Sequence, residues 1–245
     1  MKKTIFLALS LLIATTSYAT SSLFEQGNAK YKEGDFKGAM QAYQQHLAAG
    51  NATAAVYFNL GNAALKAGEK GQALVYYERA RRAAPRDKDL LWNIQVLKSA
   101  LKDKIEDPSH FVLAATRRFL EKLSVDEAAL CLAVFLALFA GLSVMGSLLP
   151  SFKRTSGPLF AVVWIGLFAS LVLFGAKWWE TRNPLVVVLD QEVYAHYGPS
   201  ESETKAFLLH EGAEGRKEDE SGDWIFLSLA DSHSGWIRKD TSETV

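Results

Sequence analysis

The residues able to do acid–base, nucleophilic or metal chemistry are thinly spread along this chain. Five histidines, His46, His110, His196, His210 and His233, are scattered, and no two fall at metal-ligand spacing. The single cysteine, Cys131, lies inside an apolar stretch, so neither an intramolecular disulfide nor a thiolate metal site is available. A thiol there reads as a small apolar filler. No P-loop, GxSxG or HExxH run is present. Asp219, Glu220 and Asp223 cluster between apolar runs, which a solvated acidic turn explains. The expectation is a protein with no catalytic residue, metal ligand or cofactor, one that works by binding. The side chains suited to recognition are two amides, Asn28 and Asn62, and four C-terminal aromatics, Tyr194, Tyr197, Trp224 and Trp236.

Two long apolar stretches divide the chain. Ala128–Leu149 lies in a run of 25 uncharged residues between Glu127 and Lys153, and Pro158–Ala176 in a run of 22 between Arg154 and Lys177. A bilayer core needs about 20 apolar residues as a helix. Each stretch is apolar on every side, which a surface helix of a soluble domain is not. The reading is two transmembrane helices, 128–149 and 158–176, joined by a loop, 150–157; the alternative is a buried core hairpin. Basic and acidic residues balance at 27 each, so nothing points to nucleic acid.

Residues 1–19, MKKTIFLALSLLIATTSYA, have a positive start, a short apolar run and small residues before Thr20. That is the layout of a signal peptide, preferred over an uncleaved anchor because the run is short for a span. Either sends the following residues across the membrane. Lys153 and Arg154 then keep the loop inside, and Trp178 and Trp179 mark the outer interface.

An internal period of 34 follows. Gly27 and Gly61, Asn28 and Asn62, Gly34 and Gly68, Ala39 and Ala73, and Tyr43 and Tyr77 all differ by 34. Gly61 and Ala73 allow two helices to cross closely, Tyr43 and Tyr77 fill the space between helices, and Gly34 and Gly68 suit left-handed turns. The pattern resembles the tetratricopeptide repeat, with Tyr57, Leu60, Gly61, Ala73, Tyr77, Ala80 and Pro85 at its characteristic places in the second copy. The first copy departs, with His46 in place of Ala80 and no closing proline. Residues 87–102 place Leu90, Leu91, Ile94, Leu97 and Leu101 at helical spacing, as a capping helix or half of a third repeat.

The resemblance implies a groove of first helices that takes a protein partner. Asn28, Tyr31, Phe58, Asn62, Leu65 and Lys66 are its candidate contacts. In some relatives asparagines at the places of Asn28 and Asn62 hold a ligand's carboxylate. Phe24 and Trp92 stand where the completing basic residues would be, so packing or capping is the competing role for both amides.

Residues 105–127 read as an amphipathic linker helix, on the membrane surface or packed on the repeats. Residues 184–245 are short apolar or alternating runs separated by turn residues, the pattern of closely spaced strands. Tyr197-Gly198-Pro199-Ser200, Leu209 with Gly212, Gly222-Asp223-Trp224 and Gly235-Trp236-Ile237 resemble the landmarks of a bacterial SH3 domain. Tyr194, Tyr197, Trp224 and Trp236 are then its possible ligand face, with buried barrel core the competing role for the tryptophans.

The expected fold is multidomain α and β: an α-helical tetratricopeptide solenoid over 20–104, a two-helix transmembrane hairpin, and a small SH3-like β-barrel over 184–245. In that order the parts resemble the BatE-like branch of the Bat (aerotolerance) family. The resemblance implies a multi-pass bacterial inner-membrane protein with both soluble domains on the periplasmic side. It further implies partners among von Willebrand type A domain membrane proteins of a Bat complex, with a MoxR-type ATPase, in stress tolerance. A cell-wall sensor or anchor, its SH3-like domain holding peptidoglycan, is the alternative.

Overall fold

The computed structural model describes residues 23–105, 116, 119–149, 152 and 156–245. The expected signal peptide, most of the linker helix and most of the 150–157 loop lie outside the described residues.

Five helices form the first layer: α1 (23–33), α2 (Phe36–Ala48), α3 (Ala54–Ala67), α4 (Lys70–Ala83) and α5 (Lys88–Ser99). Thr53 and Asp87 accept from the first-turn amides of α3 and α5 and start those helices. Gly34 and Gly68 turn between paired helices at φ 84° and 89°, cheap only for glycine. A Cβ on Gly27 or Gly61 would clash with the nearest ring carbons of Tyr43 or Tyr77, so these glycines set how closely the helices cross. Leu60, Ala63, Ala64, Ala73, Leu74, Tyr77 and Leu90 are sealed between them. On α5 the place of Gly61, one period on, is held by the exposed Gln95. A side chain therefore stands on α5 where the two preceding first helices leave room for a tyrosine ring.

Seven strands follow: β1 (Leu185–Val188), β2 (Glu192–His196), β3 (Lys205–His210), β4 (Glu214–Ser221), β5 (Trp224–Ser228), β6 (Ser234–Arg238) and β7 (Ser242–Thr244). They pair antiparallel in the order β3-β2-β6-β5-β4-β1-β7. The expected closed barrel is not what forms: the ladder is open, with β3 and β7 at its edges. Both edges are engaged by the helical layer. Arg79 of α4 donates to the Thr244 carbonyl, and the His210 amide donates to Asp103, just beyond α5.

Repeats and sheet form one compact unit, joined through β1. Val186 and Val188 face the sheet core with Val193, Ala195, Leu209, Ile225, Leu227 and Ile237. Val187, on the opposite face and 0% exposed, belongs to the helical core. A strand apolar on both faces is buried on both. Around it, Gly71 of α4 meets the backbone of β1, where a Cβ would lie 2.7 Å from the Val188 carbonyl oxygen. Glu69 makes no side-chain cap for α4; instead Glu211, from the β3–β4 turn, accepts from the Gly71 amide at 2.8 Å. Glu78 is buried on α4. Lys98 of α5 bridges it at 3.2 Å to Glu214 of β4 at 2.7 Å, and Arg81 closes on Glu78 at 2.6 Å.

The second unit holds α6 (Val125–Leu148) and α7 (Gly157–Arg182). Ser124 and Glu127 form a capping box that starts α6. The Phe135 ring fills the notch at Gly166, and Phe139 meets Trp164 edge-on at 5.1 Å. Both helices are long and apolar enough to cross a membrane, and only 6% and 11% of their most apolar stretches is buried. Cys131 lies exposed on α6, so it fills no interior. Helix α7 outruns its apolar stretch because Lys177 pairs with Glu180 at 2.9 Å and Arg182 covers the Trp178 ring.

The shared strand predicts that residues 184–245 alone expose Val187 and aggregate. The chain with 107–184 replaced by a short glycine-serine linker should instead melt in one cooperative transition by circular dichroism. The buried charges titrate with opposite signs. Burial pushes the Glu78 carboxyl up, but Lys98 and Arg81 outweigh it and hold it below the usual range. At Glu214 burial prevails and pushes the carboxyl up. Glu78 therefore stabilises above the unfolded carboxylate pKa, and that stability is lost as pH falls through its depressed folded value. Ionised Glu214 costs stability, a cost absent below the unfolded pKa and complete above the raised folded one. Glu78→Gln should lower stability near neutral pH by about 3–5 kcal/mol, whereas Glu214→Gln should raise it, both effects shrinking in acid. Thermal melts of the solubilised protein across pH measure both.

Candidate functional site

The helical layer carries a constellation that repeats with the 34-residue period. Asn28 Oδ1 accepts from the Tyr43 hydroxyl at 2.8 Å and from Asn59 Nδ2 at 3.2 Å. Asn62 Oδ1 accepts from the Tyr77 hydroxyl at 2.7 Å and from Asn93 Nδ2 at 3.2 Å. In each set the tyrosine comes from the second helix of the same repeat and the second amide from the first helix of the next. The bonds run α1 to α3 and α3 to α5, so the first helices lie side by side.

The electrostatics keep the sets intact. Burial pushes the Tyr43 and Tyr77 phenols up to about 12, so both remain donors at neutral pH. Each set consumes the carbonyl oxygen of Asn28 or Asn62 and fixes the side chain. Among the described residues no partner is found for the Nδ2 of either. What remains is a pair of oriented NH₂ donors one repeat apart, suited to an acceptor such as a carbonyl or carboxylate oxygen.

The predicted groove residues divide in two. Asn28 and Asn62 hold the sets together, as the packing role required, and still offer donors. Tyr31, Phe58 and Leu65 are half-buried and spend surface on the helical core, Phe58 lying 6.0 Å from the Tyr77 ring. Lys66 is exposed at the end of α3. Asn59 and Asn93 were missed by the sequence reading. The signal was present, because they too are 34 residues apart. Trp92, at the place of Phe24 and Phe58, is 65% exposed.

On the sheet, the buried-core role for Trp224 and Trp236 does not hold. Both are half-buried and stand outside the sheet core. His196 pairs across with Trp236, and Trp236 with Phe226, so the three share the face turned from Ile225 and Ile237. Phe226 and Trp236 rings lie 5.3 Å apart, and His196 meets the Trp224 edge at the same distance. Tyr194 is exposed with Lys205 Nζ 3.7 Å over its ring, and Tyr197 is 71% exposed. The result is an aromatic surface bordered by Arg238, which pairs with Glu201 and Asp240.

Residues 54–87 match the tetratricopeptide repeat family. The match spans α3, α4 and the Asp87 cap of α5, and repeats of this family mediate protein–protein binding. No curated protein matches the chain.

Tyr77→Phe removes one donor to Asn62 without disturbing the ring at Gly61. It should cost about 1 kcal/mol in thermal unfolding. Tyr77→Ala, which empties the crossing, should cost about 3–5 kcal/mol.

Proposed function

We propose that this protein is a non-enzymatic, membrane-held scaffold that binds protein partners through the face formed by α1, α3 and α5. The observation that carries the reading is the twice-repeated asparagine–tyrosine–asparagine set, which leaves two fixed amide donors with no partner among the described residues, one of them within the segment that matches a repeat family that binds proteins. The hairpin supports the membrane: its exposed side chains include Leu130, Val134, Val162, Ile165 and Phe168, which water would not tolerate in such number. The signal-peptide layout and the basic 150–157 loop support repeats and sheet on the periplasmic side of a bacterial inner membrane. The order of parts supports a Bat-type stress complex with von Willebrand type A domain membrane proteins as partners.

The half-buried Trp224 and Trp236 and the exposed Tyr197 favour one second reading. In it the sheet, as an SH3-like domain, holds peptidoglycan, and the protein is a cell-wall sensor or anchor.

A photo-cross-linking amino acid placed at Lys66, in living cells, tests the first reading. The expected result is a discrete set of cross-linked membrane proteins that is lost with Asn62→Ala. An unchanged set in that variant sinks the assignment to this face. Retention of the full-length protein on cell-wall sacculi, abolished by Trp236→Ala, would establish the second reading in its place.

A further inference from the structure

The face formed by α1, α3 and α5 changes character at its α5 end. Phe24, Phe58 and Trp92 occupy one place in successive periods of 34. Phe24 and Phe58 lie 5.8 and 6.0 Å from the rings of Tyr43 and Tyr77, each supplied by the helix that follows. On α5 the exposed Gln95 holds the place of Gly27 and Gly61, and Trp92 is 65% exposed. The amide place shifts in the same way: Asn28 and Asn62 are succeeded by Val96, 46% exposed and one turn from Trp92. The face therefore offers two polar steps and then an apolar one.

Both kinds of step constrain the occupant. Fixed NH₂ donors at Asn28 and Asn62 need acceptors, which lipid tails do not have. A helical partner has spent its carbonyls internally, whereas an extended chain presents them. Packed helices lie 8–10 Å apart and an extended chain advances about 3.3 Å per residue. One helix step thus corresponds to roughly three residues of such a chain.

We propose that this face takes an extended polypeptide whose main-chain carbonyls accept from Asn28 and Asn62 and whose bulky apolar side chain seats on Trp92 and Val96. The anchor lies roughly three residues from the carbonyl at Asn62 and roughly six from that at Asn28, by the same spacing. This rests on the reading that the face binds protein and adds the anchor and the register.

The test is selection of short random peptides, displayed in a library, against the full-length chain in lipid nanodiscs. Selected sequences should share one bulky apolar position. The best of them, made synthetically, should lose about tenfold or more in affinity with Trp92→Ala and little with Trp92→Phe. Trp92 is exposed, so an unchanged melting curve checks that the loss is local. Peptides that bind through Asn62, lost with Asn62→Ala, but show no apolar preference and ignore Trp92→Ala overturn the anchor while leaving the binding face intact. A library that yields no binder overturns the face itself. Self-association of the full chain that disappears with Trp92→Ala would assign the patch to a second copy and also overturn the proposal.

Discussion

Strand β1 is the constraint on which the compact unit depends. Its three central valines are buried on both sides, Val186 and Val188 in one core and Val187 in the other. Each contributes on the order of 1.5–3 kcal/mol by burial, and losing the strand would forfeit that in two places at once. The strand is also the last but one in the ladder, holding β4 on one side and β7 on the other. Removing it would split the sheet's edge from its body and uncover the convergence of α4 and α5. The polar contacts surrounding it, from Glu211 to the start of α4 and through Lys98 between Glu78 and Glu214, fix orientation more than they add stability, since buried ion pairs recover little beyond their desolvation cost.

The helical repeats were legible because their signals recur. Glycine at 27 and 61 and tyrosine at 43 and 77 are meaningful as pairs at a fixed offset, and the structure gives each pair one physical job. The same periodicity held the second amides, Asn59 and Asn93, but their role needs the third dimension: each reaches back to the preceding repeat. The union of repeats and sheet was not legible. It rests on single residues with remote partners, Gly71 with Glu211 and Asp103 with His210, and no local pattern marks them. The expectation of a closed barrel failed for the same reason. Strand spacing and turn residues specify strands, but whether the edges meet each other or a helical layer is decided by those remote contacts. The aromatics were ambiguous for a related reason: alternation puts Trp224 and Trp236 on one face, but which face is core depends on the partner layer.

The two repeats show how one module is adapted to a fixed neighbour. In the first, Asp35 caps its own helix by accepting from the Gly38 amide. In the second, the equivalent residue is Glu69, which makes no such cap, and the sheet supplies Glu211 instead. Lys37 in the first repeat becomes Gly71 in the second, the residue that lies against the β1 backbone. The substitutions are those that docking demands: a side chain deleted where backbone approaches, and a self-cap given up where another element brings one. The first repeat, with no such neighbour, keeps both.

This asymmetry bears on binding. The sheet approaches α4 through Gly71, Gln72 and Arg79 and the end of α5 through Lys98 and Asp103, and the amide sets lie on the facing side of α1, α3 and α5. Docking and the proposed recognition thus use different faces of the same repeats. Tyr77 connects them: its ring packs on Gly61 within the core, and its hydroxyl holds Asn62. The core that orders the repeats also aims the amide, so the donor arrives at a partner with its rotamer already fixed and little side-chain entropy left to lose. A surface asparagine without that support would have to be ordered on contact. The proposed recognition face is in this sense a product of the core, and the sheet, by sealing the opposite side of α4, helps hold that core in place.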